Sequence, residues 1–75
     1  MEPILLTLKA GGSTSPEDPH EGEEFGYVLH GSVTAHLGNR ACKAKKGESF
    51  YFTAGKNHYL SSKAGAVILW VSSPP

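Results

Sequence analysis

The sequence predicts an all-β sandwich or barrel, and two observations carry that expectation. Nine glycines and five prolines interrupt the 75-residue chain, and no stretch between them repeats apolar residues at helical spacing over three turns. What recurs is a short run of aromatic or branched residues followed by a turn signal, the pattern of many short strands in one sandwich or barrel.

The elements follow in order. Ile4 to Leu8 reads as a first strand that ends at Gly11-Gly12. Ser13 to Pro19 is polar, contains two prolines, and reads as a loop. Phe25 to Leu29 is a strand stopped by Gly31, and Val33 to Leu37 is the next. Gly38-Asn39 then separates it from Arg40 to Lys45, which is a two-residue hairpin signal. Lys46-Gly47 is a turn, and Ser49 to Phe52 is aromatic and β-prone until Ala54-Gly55-Lys56 breaks it. His58 to Ser62 and Ala66 to Val71 form a last hairpin around Ala64-Gly65. Seven or eight strands result. The tail Ser72 to Pro75 cannot extend a ladder beyond its first proline.

Side-chain alternation adds packing detail. Cys42 and Ala44 should face inward and Lys43 and Lys45 outward, with Cys42 a small core residue. Tyr27, Phe50, Tyr51, Phe52, Tyr59 and Trp70 read as core or subunit interface. His30 and His36 flank turns and are expected to be exposed. Lys43, Lys45 and Lys46 form a solvated basic face opposite the acidic 17–24 segment.

Size and charge bound the function. Residues 1–75 make a single domain. A chain this short leaves roughly 40% of its unfolded surface exposed, and its core supplies only about 3–5 kcal/mol, so a staple is expected. With Cys42 as the one cysteine, an intrachain disulfide is excluded, which leaves a bound metal or a second subunit. Seven basic and seven acidic side chains cancel, which argues against direct nucleic-acid binding. The longest apolar run, Ala66 to Val71, falls far short of the roughly 20 residues that span a bilayer, so no membrane partner is expected. One thiol and no export signal point to the cytoplasm.

The segment Asp18-Pro19-His20-Glu21-Gly22-Glu23-Glu24 carries the chemistry. In an extended strand Asp18, His20 and Glu24 share one face, and Glu21 and Glu23 take the other. The same spacing suits one face of a helix, but the β-prone Phe25 to Leu29 that follows favours the strand. Imidazole and carboxylate on one face suit a divalent metal such as zinc, iron, manganese or nickel. A second imidazole must come from elsewhere. His58, which opens a strand alternating His58, Leu60 and Ser62, is the best candidate.

With those residues in view, the stretch His20 to Gly31 resembles the first sequence motif of the cupins, and Gly47 to Ser62 resembles the second. His20 stands at the second histidine of the first motif, followed by Glu24 and then Gly31. Gly47, Gly55 and His58 fall at matching places of the second motif. Fifteen residues separate Gly31 from Gly47, and the two motifs with that spacer cover about 43 residues. The final strand Val67 to Val71 also looks familial. Asp18 stands where the family has its first histidine, Thr53 where it has a proline, and Ser62 where it has an asparagine.

The resemblance implies a double-stranded β-helix, or jelly-roll cupin barrel, with His20, Glu24, His58 and Asp18 as a metal-ligand set around a central cavity. His20-Glu21-Gly22 to Leu29 and the closing Leu69 to Pro75 look most like the sensor domains of helix-turn-helix regulators. Beginning at Met1, the chain is expected to be a free-standing minimal cupin or a piece of a longer regulator. Ile4 to Leu8 needs cover, and similar cupins dimerise through such strands, so a homodimer is expected. The functional expectation is a barrel that binds a divalent metal, a small polar molecule, or both. Its alternatives are a metal-dependent dioxygenase, isomerase or decarboxylase, and a purely structural barrel.

Overall fold

The computed structural model describes residues 2–15 and 21–73. Among these the strands are β1 (Glu2–Leu8), β2 (Glu23–Leu37), β3 (Arg40–Lys45), β4 (Ser49–Thr53), β5 (His58–Ser61) and β6 (Ala66–Ser73). All pairings are antiparallel. In the first sheet β1 pairs with β6, and the N-terminal half of β2 lies between β6 and β4. In the second sheet the C-terminal half of β2 lies between β3 and β5. One strand is thus the middle of both sheets, and the all-β fold is as expected.

The segments Phe25–Leu29 and Val33–Leu37, expected as separate strands, are the two halves of the 15-residue β2. Gly31 does not stop the strand but bends it. The register with β6 shifts between Val28 and His30, and Gly31 adopts a φ of +73°, open to glycine at little steric cost. A Cβ on Gly31 would also lie 2.1 Å from the carbonyl oxygen of Gly65. The inside of the bend is filled by the β5–β6 connection. The Ser62 hydroxyl donates to the Ser32 carbonyl at 2.6 Å and accepts from the Gly65 amide at 2.9 Å.

That connection corrects the expected last hairpin. β5 pairs with β2 in the second sheet, and β6 pairs with β1 and β2 in the first. The chain crosses between sheets at Ser62–Gly65 instead of folding back on itself. The Gly38-Asn39 hairpin forms as read, with Leu37 opposite Arg40. The β3–β4 turn is tied to the bend, because the amides of Lys46 and Gly47 donate to the carbonyls of Gly31 and Val28.

The core lies between the sheets and includes Val28, Val33, Ala35, Ala44, Phe50, Leu60, Ile68 and Trp70. Ala44 faces inward as expected, but Cys42 is exposed. Cys42 lies opposite buried Ala35, so its alternation is right, but its end of β3 borders an open cavity instead of a covering strand. His36 also departs from expectation. It is half-buried, its ring stacks on Tyr59 at 4.2 Å, and it is hydrogen-bonded to Ser61 at 2.8 Å. His30, Lys43, Lys45 and Lys46 are exposed as expected. Among the described residues no helix is long and apolar enough to cross a membrane.

Because Gly31 combines a positive φ with a backbone collision, Gly31→Ala should lower unfolding free energy by about 2 kcal/mol or more. Gly47→Ala, at positive φ but with open space around it, should cost about 1 kcal/mol. Urea denaturation measures both. Equal losses would contradict the close approach at the bend.

Candidate functional site

The bend brings together side chains from opposite ends of the sheets. Glu24 is near the start of β2, between Phe52 on β4 and Ser72 on β6. His58 opens β5 opposite Leu37, at the far end of β2. Glu24 and Leu37 are thirteen residues apart, about 43 Å along a straight strand, yet the longest dimension of the molecule is 30 Å. Folded at Gly31, β2 sets Glu24 Oε1 3.8 Å from His58 Nε2. Glu24 is 1% and His58 0% exposed.

The bonds around the pair define its chemistry. His58 Nδ1 lies 2.9 Å from the Lys56 carbonyl oxygen. A carbonyl only accepts, so Nδ1 carries a proton and donates it. The ring is thereby oriented with Nε2 toward Glu24, and the edge of the Phe52 ring braces it at 5.4 Å. Glu24 Oε2 accepts from the Ser72 hydroxyl at 2.6 Å, which leaves Oε1 as the oxygen facing His58. A separation of 3.8 Å is too long for a hydrogen bond. Two ligand atoms about 2.1 Å from one ion are about 3.4 Å apart at the tetrahedral angle, so the pair needs to close by only about 0.4 Å to share one, and an imidazole tied through its other nitrogen to a carbonyl is the usual support for a metal ligand. The pair therefore fits a divalent cation.

Of the residues expected at the metal, the structure brings Glu24 and His58 together, while His20 and Asp18 lie outside the described residues. Among the described residues no three His, Cys, Asp or Glu side chains gather into a metal-holding group. Ser72 and Phe52 were not singled out in the sequence as partners of the site. For Ser72 a signal exists, because it continues the inward alternation of Ile68 and Trp70.

Next to Phe52 opens a cavity of about 380 Å³ between edge strands β3 and β4, lined by residues that include Ala35, Leu37, Arg40, Cys42, Phe50 and Phe52. Phe50 and Phe52 lie nearly parallel at 6.3 Å, and Trp70 meets the Phe50 ring edge-on at 6.2 Å. Gly26 gives Phe50 its seat, since a Cβ there would lie 2.1 Å from the end of the ring.

The family model for the cupin domain matches residues 4–72. This chain belongs to the cupins. Solved structures agree on the fold. The protein TT1209 from Thermus thermophilus is 24% identical, with a TM-score of 0.82 over 93% of this cupin and 69% of that chain. An HTH_3 family transcriptional regulator from Vibrio cholerae is 20% identical, with a TM-score of 0.87 over 97% of this cupin and 42% of that chain. The Cupin_2 domain of an XRE family transcriptional regulator from Enterobacter cloacae is 16% identical, with a TM-score of 0.83 over 97% and 80% respectively. The cupin thus spans less than half of the Vibrio regulator. Comparison with curated proteins gave no match.

On the outer surface near the pair, the Tyr51 hydroxyl donates to Glu23. That bond, with minor help from desolvation and the Glu23 charge, holds the Tyr51 phenol above the usual tyrosine range. Spectrophotometric alkaline titration should show one late-ionising tyrosine. It should titrate earlier in Glu23→Gln and vanish in Tyr51→Phe; an unchanged curve in Glu23→Gln would contradict the contact.

Proposed function

We propose that this cupin is a sensor-like binding barrel that holds a divalent cation through Glu24 and His58, with His20 and Asp18 supplying further ligands, and a small polar or anionic molecule in its cavity. The observation that carries the reading is the buried pair, with Nε2 and Oε1 facing each other at 3.8 Å and each side chain fixed by a separate hydrogen bond. A divalent cation there would supply positive charge and open coordination positions. The Lys56 carbonyl and Ser72 hydroxyl orient the donors, and Phe52 keeps the imidazole from rotating. The zero net charge supports a domain that makes no nucleic-acid contact of its own, and a single exposed thiol suits the cytoplasm.

The partner we propose for the outer face of the first sheet is a second copy of the chain. Leu5, Leu69 and Tyr27 form one cross-strand row, and Val71, Phe25 and Tyr51 form another. Leu5 is 67% exposed. The rows are uncharged and self-complementary, as an isologous sheet-on-sheet contact requires, and burying them would supply what a small core lacks.

Purified protein should carry close to one equivalent of zinc, iron, manganese or nickel by elemental analysis. His58→Ala and Glu24→Gln should lose it, and Ser72→Ala should weaken affinity about tenfold or more. Metal retained in both ligand variants would refute the assignment. Light scattering should give twice the chain mass, falling to one in Leu69→Lys; a wild-type monomer at micromolar concentration would refute the dimer.

A further inference from the structure

The cavity between β3 and β4 has a shape and lining of its own. β3 and β4 are edge strands on the same side of β2, but they belong to different sheets. Pinned together at the Lys46-Gly47 turn beside the bend, they diverge as β2 passes from one sheet to the other. The cavity is the space between them, and Arg40, at the end of β3 far from the turn, lies at its rim.

Among the described residues that line the cavity, Arg40 is the one charged side chain. Among the described residues it has no carboxylate partner. A guanidinium presents a planar fork of donors that matches a carboxylate in two parallel bonds. Behind it the walls are Ala35, Leu37 and the parallel rings of Phe50 and Phe52. The volume of about 380 Å³ falls in the usual range for small-molecule sites. A sugar or polyol would leave hydroxyls unpaired against these walls, at a cost of about 1–3 kcal/mol each. The Tyr51 hydroxyl is on the outer surface and already donates to Glu23.

We infer that this cavity binds a small monocarboxylic acid with a flat apolar body, its carboxylate on Arg40 and its body between the sheets against Phe50 and Phe52. The inference rests on the reading of the barrel as a small-molecule binder but not on the cation. By register Arg40 and His58 sit on opposite sides of Leu37, about two strand spacings or 10 Å apart, so the carboxylate on Arg40 lies at the rim and not at the buried pair. Cys42, two residues along the same face of β3, lines the cavity and is the chain's one thiol. Its accessibility therefore reports occupancy.

The test is calorimetric titration of the whole protein with phenylacetate and 2-naphthoate, and with their primary amides, in the presence and absence of excess EDTA. The rate of Cys42 alkylation by iodoacetamide is the second readout. The acids should bind at least about tenfold more tightly than the amides. Arg40→Gln should abolish that preference, EDTA should leave it intact, and saturating acid should slow alkylation severalfold. Equal binding of acid and amide, undiminished acid binding by Arg40→Gln, unprotected Cys42, or no acid binding at millimolar concentration would each overturn the inference. Acid binding that EDTA abolishes and Arg40→Gln retains would also overturn it, by placing the carboxylate on the cation. Acid binding by protein that holds no metal as purified and takes up none on incubation with zinc would strike the cation reading alone.

Discussion

The bend in β2 at Gly31 is the constraint from which the rest of this barrel follows. A 15-residue strand is too long for the molecule if straight, and a turn at its middle would have split it between two unconnected elements. The solution is a glycine at positive φ pressed against the Gly65 carbonyl, with Ser62 bonding to both the bend and the crossing turn. At the bend the Val28 and Gly31 carbonyls accept from the Gly47 and Lys46 amides of the β3–β4 turn, which gives these backbone groups partners. Each sheet then has a central strand without a second long strand having to be synthesised and registered.

Two candidate functional features descend from that geometry. Folding one strand over itself brings a carboxyl near its beginning against an imidazole paired to its end, and it spreads the flanking strands β3 and β4 into a cavity. Neither feature helps stability. Burying an imidazole and a carboxyl costs free energy that hydrogen bonds only partly return, and a 380 Å³ opening forgoes contacts in a core that can spare few. Under the proposed function, a ligand that occupies them would offset that loss.

Where local chemistry decided the outcome, the sequence was sufficient. Gly38-Asn39 makes its hairpin, and the alternating residues His58, Leu60 and Ser62 share one buried face. The errors came where distant segments decide. A glycine after an apolar run signals a stop or a bend equally well, and only the Gly65 carbonyl, more than thirty residues on, settles which. Ala64-Gly65 reads as a hairpin because nothing local shows that its flanking strands pair with different halves of β2. Cys42 has inward alternation, but burial needs a covering strand, and β4 has diverged there. His36 is held by Tyr59 and Ser61 across the sheet. Within the described residues, Glu24 and His58 were legible through their alternation and their motif positions. Ser72 was visible only as a polar residue on an apolar rhythm, a weaker signal because exposed strand ends show it too.

The central claim is that His58 offers its Nε2 to a cation shared with Glu24 while Nδ1 stays bonded to Lys56. Nitrogen-15 NMR of the His58 ring in metal-free protein, before and after zinc addition, tests this most directly. The account predicts a protonated Nδ1 in both states, with only the Nε2 resonance moving as zinc binds. A proton on Nε2 alone, or an Nε2 resonance unmoved by saturating zinc, would contradict it.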